Sequence, residues 1–317
     1  ETNATYYDTN VVAGEAGSYS CVVSNTHGSV TSAGAALRLH TATHVVGWGR
    51  NEYNRLSGHS DLVDARQSVV SWYRTYALKS DGTVTSWGKT DSGAPAYTGP
   101  DLVRLFLGTH SYIRVYGLKS DGTVVSIYAG LSGPGGLSDV VDIAPGDSHV
   151  LALKGDGTVV AWGNNDYGQT SVPGWLSDVV DIAVGPYHSL ALRRDGTVVG
   201  WGRNNEGQAT PPAGLNNVVK VKANNVTSFA IKSDGSVVWW GKTYGYSLPG
   251  GLVNVKDISG YYNYWLARKT DDTVLGWGSN SHGASTIPAH VTTALDIHAG
   301  YEHGSSLVVP TTNPTRI

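Results

Sequence analysis

The motif Val-x-x-Trp-Gly recurs at residues 45–49, 84–88, 159–163, 198–202, 237–241 and 274–278, and it limits the fold more than any other feature of the chain. A worn copy, Val124-Val125-Ser126-Ile127-Tyr128, fills the gap between the second and third. The tryptophan-equivalent positions are therefore 48, 87, 127, 162, 201, 240 and 277, seven in all. Steps of 35 to 40 residues suit one small sheet per repeat. They are too long for one coil of a β-helix, and their content is wrong for a helical solenoid.

Each copy but the first follows a turn signal: Asp81-Gly82, Asp121-Gly122, Asp156-Gly157, Asp195-Gly196, Asp234-Gly235 and, imperfectly, Asp271-Asp272. Asp-Gly between β-rich segments predicts a two-residue hairpin with both central residues at positive φ. These turns lack the Asp-x-Asp-x-Asp-Gly ladder of a calcium loop, so they read as hairpins and not as metal sites. An alternating strand such as Leu190-Ala191-Leu192-Arg193 precedes the turn, and Thr197-Val198-Val199-Gly200-Trp201 follows it. A further apolar strand, as in Val179-Val180-Asp181-Ile182-Ala183, precedes the next loop. About four short strands per repeat make a propeller blade. The expected fold is all-β, a seven-bladed β-propeller over residues 41–310 with a C-terminal tail at 311–317. Ser306-Leu307-Val308-Val309 has no turn after it and His44-Val45-Val46-Gly47-Trp48 has none before it. The two segments are expected to complete one blade between them, which removes exposed sheet edges.

Composition narrows the function. Gly 41 of 317 residues with only 15% charged residues suits a turn-dense β protein. A net charge of −3 without a Lys/Arg cluster argues against nucleic acid. No apolar run reaches the ~18 residues of a membrane span. One cysteine excludes a disulfide framework and a cysteine-rich zinc site. With no Met and Glu1 first, the sequence reads as a processed chain or a segment of a longer one. No serine nucleophile elbow, His-Glu-x-x-His or phosphate-cradling loop appears, so a non-enzyme without metal or cofactor is expected.

The unit Ser-Leu-Ala-Leu-Arg-Arg-Asp-Gly-Thr-Val-Val-Gly-Trp-Gly at 189–202 resembles the regulator of chromosome condensation repeat, and the resemblance spans residues 44–309. It is most similar to the short bacterial form seen in propellers that inhibit β-lactamases, through Asn-Asn-x-x-Gly-Gln at 164–169, whose last five positions (Asn-x-x-Gly-Gln) recur at 204–208 and, worn, at 280–284. Residues 1–40 lie outside the repeat. Gly17-Ser18-Tyr19-Ser20-Cys21-Val22-Val23-Ser24-Asn25 resembles the F strand of an immunoglobulin-like domain, with tyrosine two residues before cysteine. On that reading residues 5–11 are strand E and 29–39 strand G, a partial immunoglobulin-like segment. It is either a cut point in a modular protein or a module completed by a neighbouring chain, which implies self-association through residues 1–40.

Candidate binding residues come from aligning the loops blade by blade. One loop position gives Trp72-Tyr73-Arg74, Tyr112-Ile113-Arg114, Asp147-Ser148-His149, Pro186-Tyr187-His188, Asn225-Val226-Thr227, Tyr262-Asn263-Tyr264 and Tyr301-Glu302-His303. The loops after Trp-Gly add Asp166, Tyr167, Glu206 and Tyr244. Aromatic residues and arginine are what protein-binding hot spots favour. The resemblance to the inhibitory propellers implies that this ring of loops faces a protein partner. The alternative is that these side chains seal the blade ends, with the histidines holding backbone. The repeated tryptophans read as packing between blades, whereas Trp175, Trp239 and Trp265 lie off that position and are freer for recognition. The expected function is non-enzymatic recognition of a protein partner by a secreted or cell-surface protein. Alternatives are a structural subunit of a surface assembly, a β-lactamase inhibitor-like propeller, and a glycan-binding one. The last predicts carboxylates and tryptophan lining the central channel.

Overall fold

The computed structural model describes residues 17–19, 22–25, 28–31, 35–37, 44–54, 56, 62, 64–71, 74–89, 99–108, 114–128 and 131–308. The chain divides into two units, 1–42 and 43–317. In the first, Gly17–Tyr19 pairs antiparallel with Ala35–Leu37, and Val22–Asn25 with Gly28–Thr31. The segments read as strands F and G are thus paired with each other; Cys21 and residues 5–11, the expected strand E, lie outside the described residues.

The second unit is a ring of seven antiparallel three-stranded sheets. Blade 1 is Ala65–Val70, Arg74–Lys79 and Val84–Gly88. Blade 2 is Leu102–Leu107, Val115–Lys119 and Val124–Tyr128, so the worn repeat forms a blade like the others. Blades 3 to 6 follow, with inner strands Val140–Pro145, Val179–Val184, Val218–Asn224 and Val255–Tyr261 and third strands ending at Gly163, Gly202, Gly241 and Gly278. Blade 7 joins His298–Gly300 and His303–Val308 to His44–Gly49, with Val308 opposite His44 and His303 opposite Gly49. The two extremities of the propeller do share a blade.

The core is divided in the same way. Among the described residues the buried apolar side chains fall into seven clusters, each drawn from two adjacent blades. Leu151 and Leu153 of blade 3 meet Val179, Ile182 and Trp201 of blade 4, for example. Leu307 of blade 7 meets Ala77 and Trp87 of blade 1. Because each sheet buries both faces against its neighbours, the set of clusters closes only as a ring.

Two expectations need correction. The Asp-Gly turns are three-residue loops with glycine alone at positive φ, as at Gly196 (82°). Gly196 N–H donates to Arg193 O at 2.9 Å and Arg193 N–H to Thr197 O at 2.9 Å, a tight turn followed by one left-handed residue. The aspartate sets this geometry: Asp195 Oδ1 accepts both the N–H of Thr197 at 3.0 Å and its hydroxyl at 2.6 Å. The same pair of bonds recurs at Asp81, Asp121, Asp156, Asp234 and Asp271.

Each described blade also has three strands where about four were expected. The segment after Trp-Gly is shaped by side chains instead of a fourth ladder. Asn204 Oδ1 accepts the Ala209 N–H at 2.8 Å and Gln208 Oε1 accepts the Glu206 N–H at 2.9 Å. Asn165 and Gln169 do the same one blade earlier. The Asn-Asn-x-x-Gly-Gln motif is therefore a loop-folding device.

Candidate functional site: the loop face

The first and third strands of every blade end on the same face, so the loops after both converge there. One backbone bond fixes the convergence. The residue after Trp-Gly donates its N–H to the loop between the first two strands: Arg50 to Glu302 O, Asn164 to Ser148 O, Arg203 to Tyr187 O, Lys242 to Val226 O and Ser279 to Asn263 O, all at 2.8 or 2.9 Å.

The side chains on this frame form aromatic and charged groups. Tyr167 and Tyr187 meet edge to face at 5.3 Å, and the Arg203 guanidinium lies 5.3 and 5.7 Å from their ring centres. Both tyrosines are exposed, Tyr167 by 48%. One blade on, Lys242 lies 5.7 Å from the Tyr244 ring and 3.3 Å from the Glu206 carboxylate, while the Asn225 amide donates to the Tyr244 hydroxyl. Burial, the larger effect, raises the Tyr244 phenol pKa against the Asn225 bond. At blade 7 the Glu302 carboxylate accepts from Arg50 at 2.7 Å and lies 3.1 Å from His282 Nδ1; Arg50 also bonds Glu52 and lies 5.7 Å from the Tyr301 ring. Tyr261 packs against Tyr262 at 5.2 Å and Tyr301 at 6.0 Å. Between blades 5, 6 and 7 these tyrosines line a pocket of about 480 Å³ with Tyr244, Tyr264, Ser279 and Glu302.

The structure thus brings together Tyr167 with Tyr187, Glu206 with Tyr244, and Tyr262 with Tyr301 and Glu302. Asp166 is exposed in the same loop as Tyr167 and accepts from Asn164 at 2.7 Å. Trp72, Tyr73 and Tyr112 lie outside the described residues. Arg74, Asp147 and Tyr264 are buried, which corrects the expectation that they face outward. Arg74 and Tyr264 open their second strands, where the side chain turns inward. The Arg74 guanidinium donates to Ser86, and the Tyr264 hydroxyl lies 2.6 Å from Gly300 O across the joint between blades 6 and 7.

His149, His188 and His303 open the same strands and are also buried. Ser189 spends its single proton on Gln169 O at 2.8 Å, so His149 donates Nε2–H to Ser189 Oγ at 3.0 Å. His188 donates likewise to Ser228 at 2.9 Å. Burial pushes the imidazoles down to about 4 for His149 and about 3 for His188, so both are neutral scaffold. His303 places Nδ1 2.8 Å from Tyr301 O. The basic residues Arg50, Arg203 and Lys242 were missed by sequence reasoning. Their signal was available, as the residue directly after each Trp-Gly.

The model of the Regulator of chromosome condensation (RCC1) repeat matches residues 140–169 and 179–208, which are blades 3 and 4 with the loops that follow them. Blades 3 and 4 thus carry RCC1 repeats. Solved structures share its fold at low identity. Prp20p from Saccharomyces cerevisiae, described with its binding properties to Gsp1p and histones, superposes at TM-score 0.68 and 18% identity, covering 86% of this chain and 93% of its own. Human WBSCR16 gives 0.63 and 15%, covering 87% and 100%. The ectodomain of the Physcomitrella patens receptor kinase CR4 gives 0.61 and 20%, covering 80% and 72%. No curated protein is similar enough in sequence to match.

Two further parts of this propeller bear on function. The central channel, about 350 Å³, is lined at one aligned position per blade by Gln67, Arg104, Asp142, Asp181, Lys220, Asp257 and Asp296, with Lys222 and His298 also on its wall. A bulge before this position, as between Val179 and Asp181, turns Asp181 to the channel and leaves Val180 exposed. These groups tie blades together. Gln67 makes two 2.8 Å bonds to Leu105, Asp181 accepts from Val221 N–H at 2.8 Å, and Asp296 from Ser68 N–H at 3.0 Å. Lys220 and Lys222 both pair with Asp257, at 3.2 and 3.1 Å, and hold its carboxyl well below the usual range against burial. Among the described residues no tryptophan lines the channel, contrary to what the glycan-binding alternative predicts.

The repeat tryptophans are packing elements. Trp201 and Trp240 donate Nε1–H to Gln169 O and Gln208 O at 2.9 Å, and Trp48 to Ala284 O at the same distance. Of the three tryptophans set apart from the repeat position, only Trp175 is open, at 66%. Trp265 is fully buried and stacks on Trp277 at 5.8 Å, with Trp239 edge-on at 5.3 Å, so these two belong to the joint between blades 5 and 6.

Proposed function

We propose that this propeller is a non-catalytic module that binds a protein partner through its loop face. One observation carries the reading: exposed or half-exposed tyrosines gather on that face in groups that differ from blade to blade, four of them (Tyr167, Tyr187, Tyr244 and Tyr301) with an arginine or lysine beside the ring. Tyrosine and arginine supply large, rigid, amphipathic contact area, and such residues dominate binding energy at protein interfaces. Prp20p, a propeller of this fold, has binding properties to Gsp1p and histones, and the CR4 propeller belongs to a receptor-kinase ectodomain. The second of these, with the low charge and immunoglobulin-like sequence of residues 1–40, supports a secreted or surface-exposed setting.

The test is cross-linking of the immobilised propeller to proteins of its own source, comparing wild type with Tyr167→Ala/Tyr187→Ala and with Trp175→Ala. The double substitution is expected to weaken capture of the principal partner at least about tenfold, two hot-spot contacts being enough for that. Trp175→Ala leaves it unchanged. A partner lost with Trp175→Ala and kept by the double variant would place recognition elsewhere on the ring.

A further inference from the structure

On the loop face, the residue after Trp-Gly starts from the same backbone position in blades 3 to 7, because its N–H is held by the neighbouring loop. In blades 4, 5 and 7 that residue is Arg203, Lys242 or Arg50, and each lies within 6 Å of a tyrosine ring centre, at 5.3, 5.7 and 5.7 Å. In blade 6 the residue is Ser279. Where its neighbours place a long cation among tyrosines, the chain has a two-atom side chain and the pocket of about 480 Å³. Tyr244, Tyr262, Tyr264 and Tyr301 line it, with Glu302 at its edge.

We propose that this pocket accepts an arginine side chain from the partner protein, which supplies in trans the cation that blades 4, 5 and 7 carry in cis. The inference deepens the loop-face reading and rests on it. Phenol rings present a negative face, and a guanidinium ion both stacks on such rings and bonds a carboxylate through its planar edge. Among the described residues the contacts to the Glu302 carboxylate, from Arg50 at 2.7 Å and His282 at 3.1 Å, both fall on Oε2, so Oε1 keeps its acceptor capacity. A lysine ammonium matches the rings but not the flat, two-sided shape that stacking and edge-on bonding use together. The charges around the pocket favour a cation: Glu52, Glu206 and Glu302 are set against Arg50 and Lys242.

The probes are acetyl-Gly-Arg-Gly-amide and its glutamine counterpart, titrated into the intact protein by ligand-observed NMR. The arginine peptide is expected to saturate at low millimolar concentration, as a single side-chain anchor does, and the glutamine peptide to bind at least about fivefold more weakly. Ser279→Arg, which gives blade 6 the pattern of blades 4, 5 and 7, fills the pocket from within. It is expected to weaken the arginine peptide at least about fivefold while the melting temperature holds or rises. Tyr262→Ala, at an exposed ring, gives the same loss without filling the pocket. Equal binding of the two peptides, or wild-type affinity in both folded variants, would overturn the proposal. The titration needs no natural partner, so its failure leaves the cross-linking result untouched, and the converse holds.

Discussion

Acid should loosen this propeller through its buried histidines, and His188 shows why. Its ring is buried, donates through Nε2 to Ser228, and among the described residues has no hydrogen-bond partner at Nδ1. A second proton would sit on Nδ1 without water or an acceptor, so the folded chain holds its pKa down at about 3, against 6.5 for an exposed histidine. A lowered histidine pKa means that the unfolded chain binds the proton first. Stability is then complete above pH 6.5 and falls as pH drops towards the folded value. Between pH 7 and pH 5 the unfolded state gains about 2 kcal/mol from this one group. His149, pushed down to about 4 by the same burial, contributes a similar amount. Together they remove roughly 4 kcal/mol, a large share of a typical domain's 5–15 kcal/mol. The assay is urea unfolding followed by tryptophan fluorescence at half-unit steps from pH 7 to 5, on wild type, His188→Gln and His149→Gln. Glutamine keeps a donor for the serine and cannot titrate. Each variant should lose about 2 kcal/mol less than wild type over the interval. Identical losses in wild type and His188→Gln would refute the reasoning, whatever the absolute stabilities.

Asp181 works in the opposite sense. Burial in the channel wall raises its carboxyl to about 6, outweighing the pull of Lys222, so its contribution is full below about pH 4 and is lost as pH rises through 6. Asp181→Asn keeps an oxygen for the Val221 N–H and should be more stable than wild type at pH 7.5 by roughly 1–2 kcal/mol, channel solvent screening part of the full shift. The two should converge at pH 4, and a variant less stable at pH 7.5 would show that the charge is needed there. Gly185 ends its inner strand directly under the His188 ring, and a methyl group there would run into the imidazole and the Asn225 carbonyl. Gly185→Ala should cost about 1–3 kcal/mol in the same unfolding assay, and a neutral result would mean that the ring can move aside.

The architecture was legible in the sequence because the signals that define it are repeated. A tryptophan that packs between blades, and in blades 3, 4, 5 and 7 donates to a carbonyl in the loop of the preceding blade, recurs every 35 to 40 residues, and an aspartate that holds a threonine or serine two residues on marks each hairpin. The shared blade was readable from the turn missing after residue 309. The turn's detailed form was not, because Asp-Gly serves both two- and three-residue hairpins; the carboxylate's grip on Thr197 selects the longer one. The missing fourth strand had a signal that was read as kinship alone, the asparagine and glutamine that fold the loop. At the candidate site, alignment placed Tyr167, Tyr187, Tyr262 and Tyr301 on one face. It failed for Arg74 and Tyr264, which share a register with buried His149 and His188 and turn inward for the same reason. It passed over Arg50, Arg203 and Lys242, since basic residues after a strand look like ordinary solvated ends.

The seam in blade 7 has a consequence for how the molecule is made. The hydrogen-bonding partners of residues 44–49, residues 303–308, are synthesised more than 250 residues after them. Until then six blades form an open arc whose first strand has no mate, and the cost of bringing such distant segments together falls on the final step of assembly. Relocating the termini to the loop between blades 5 and 6, for example at Gly250-Gly251, with 308 tethered to 44 by a short linker, would leave every blade contiguous in sequence and turn the slowest joint into a local one. Refolding of that permutant should outpace the parent even where their equilibrium stabilities agree.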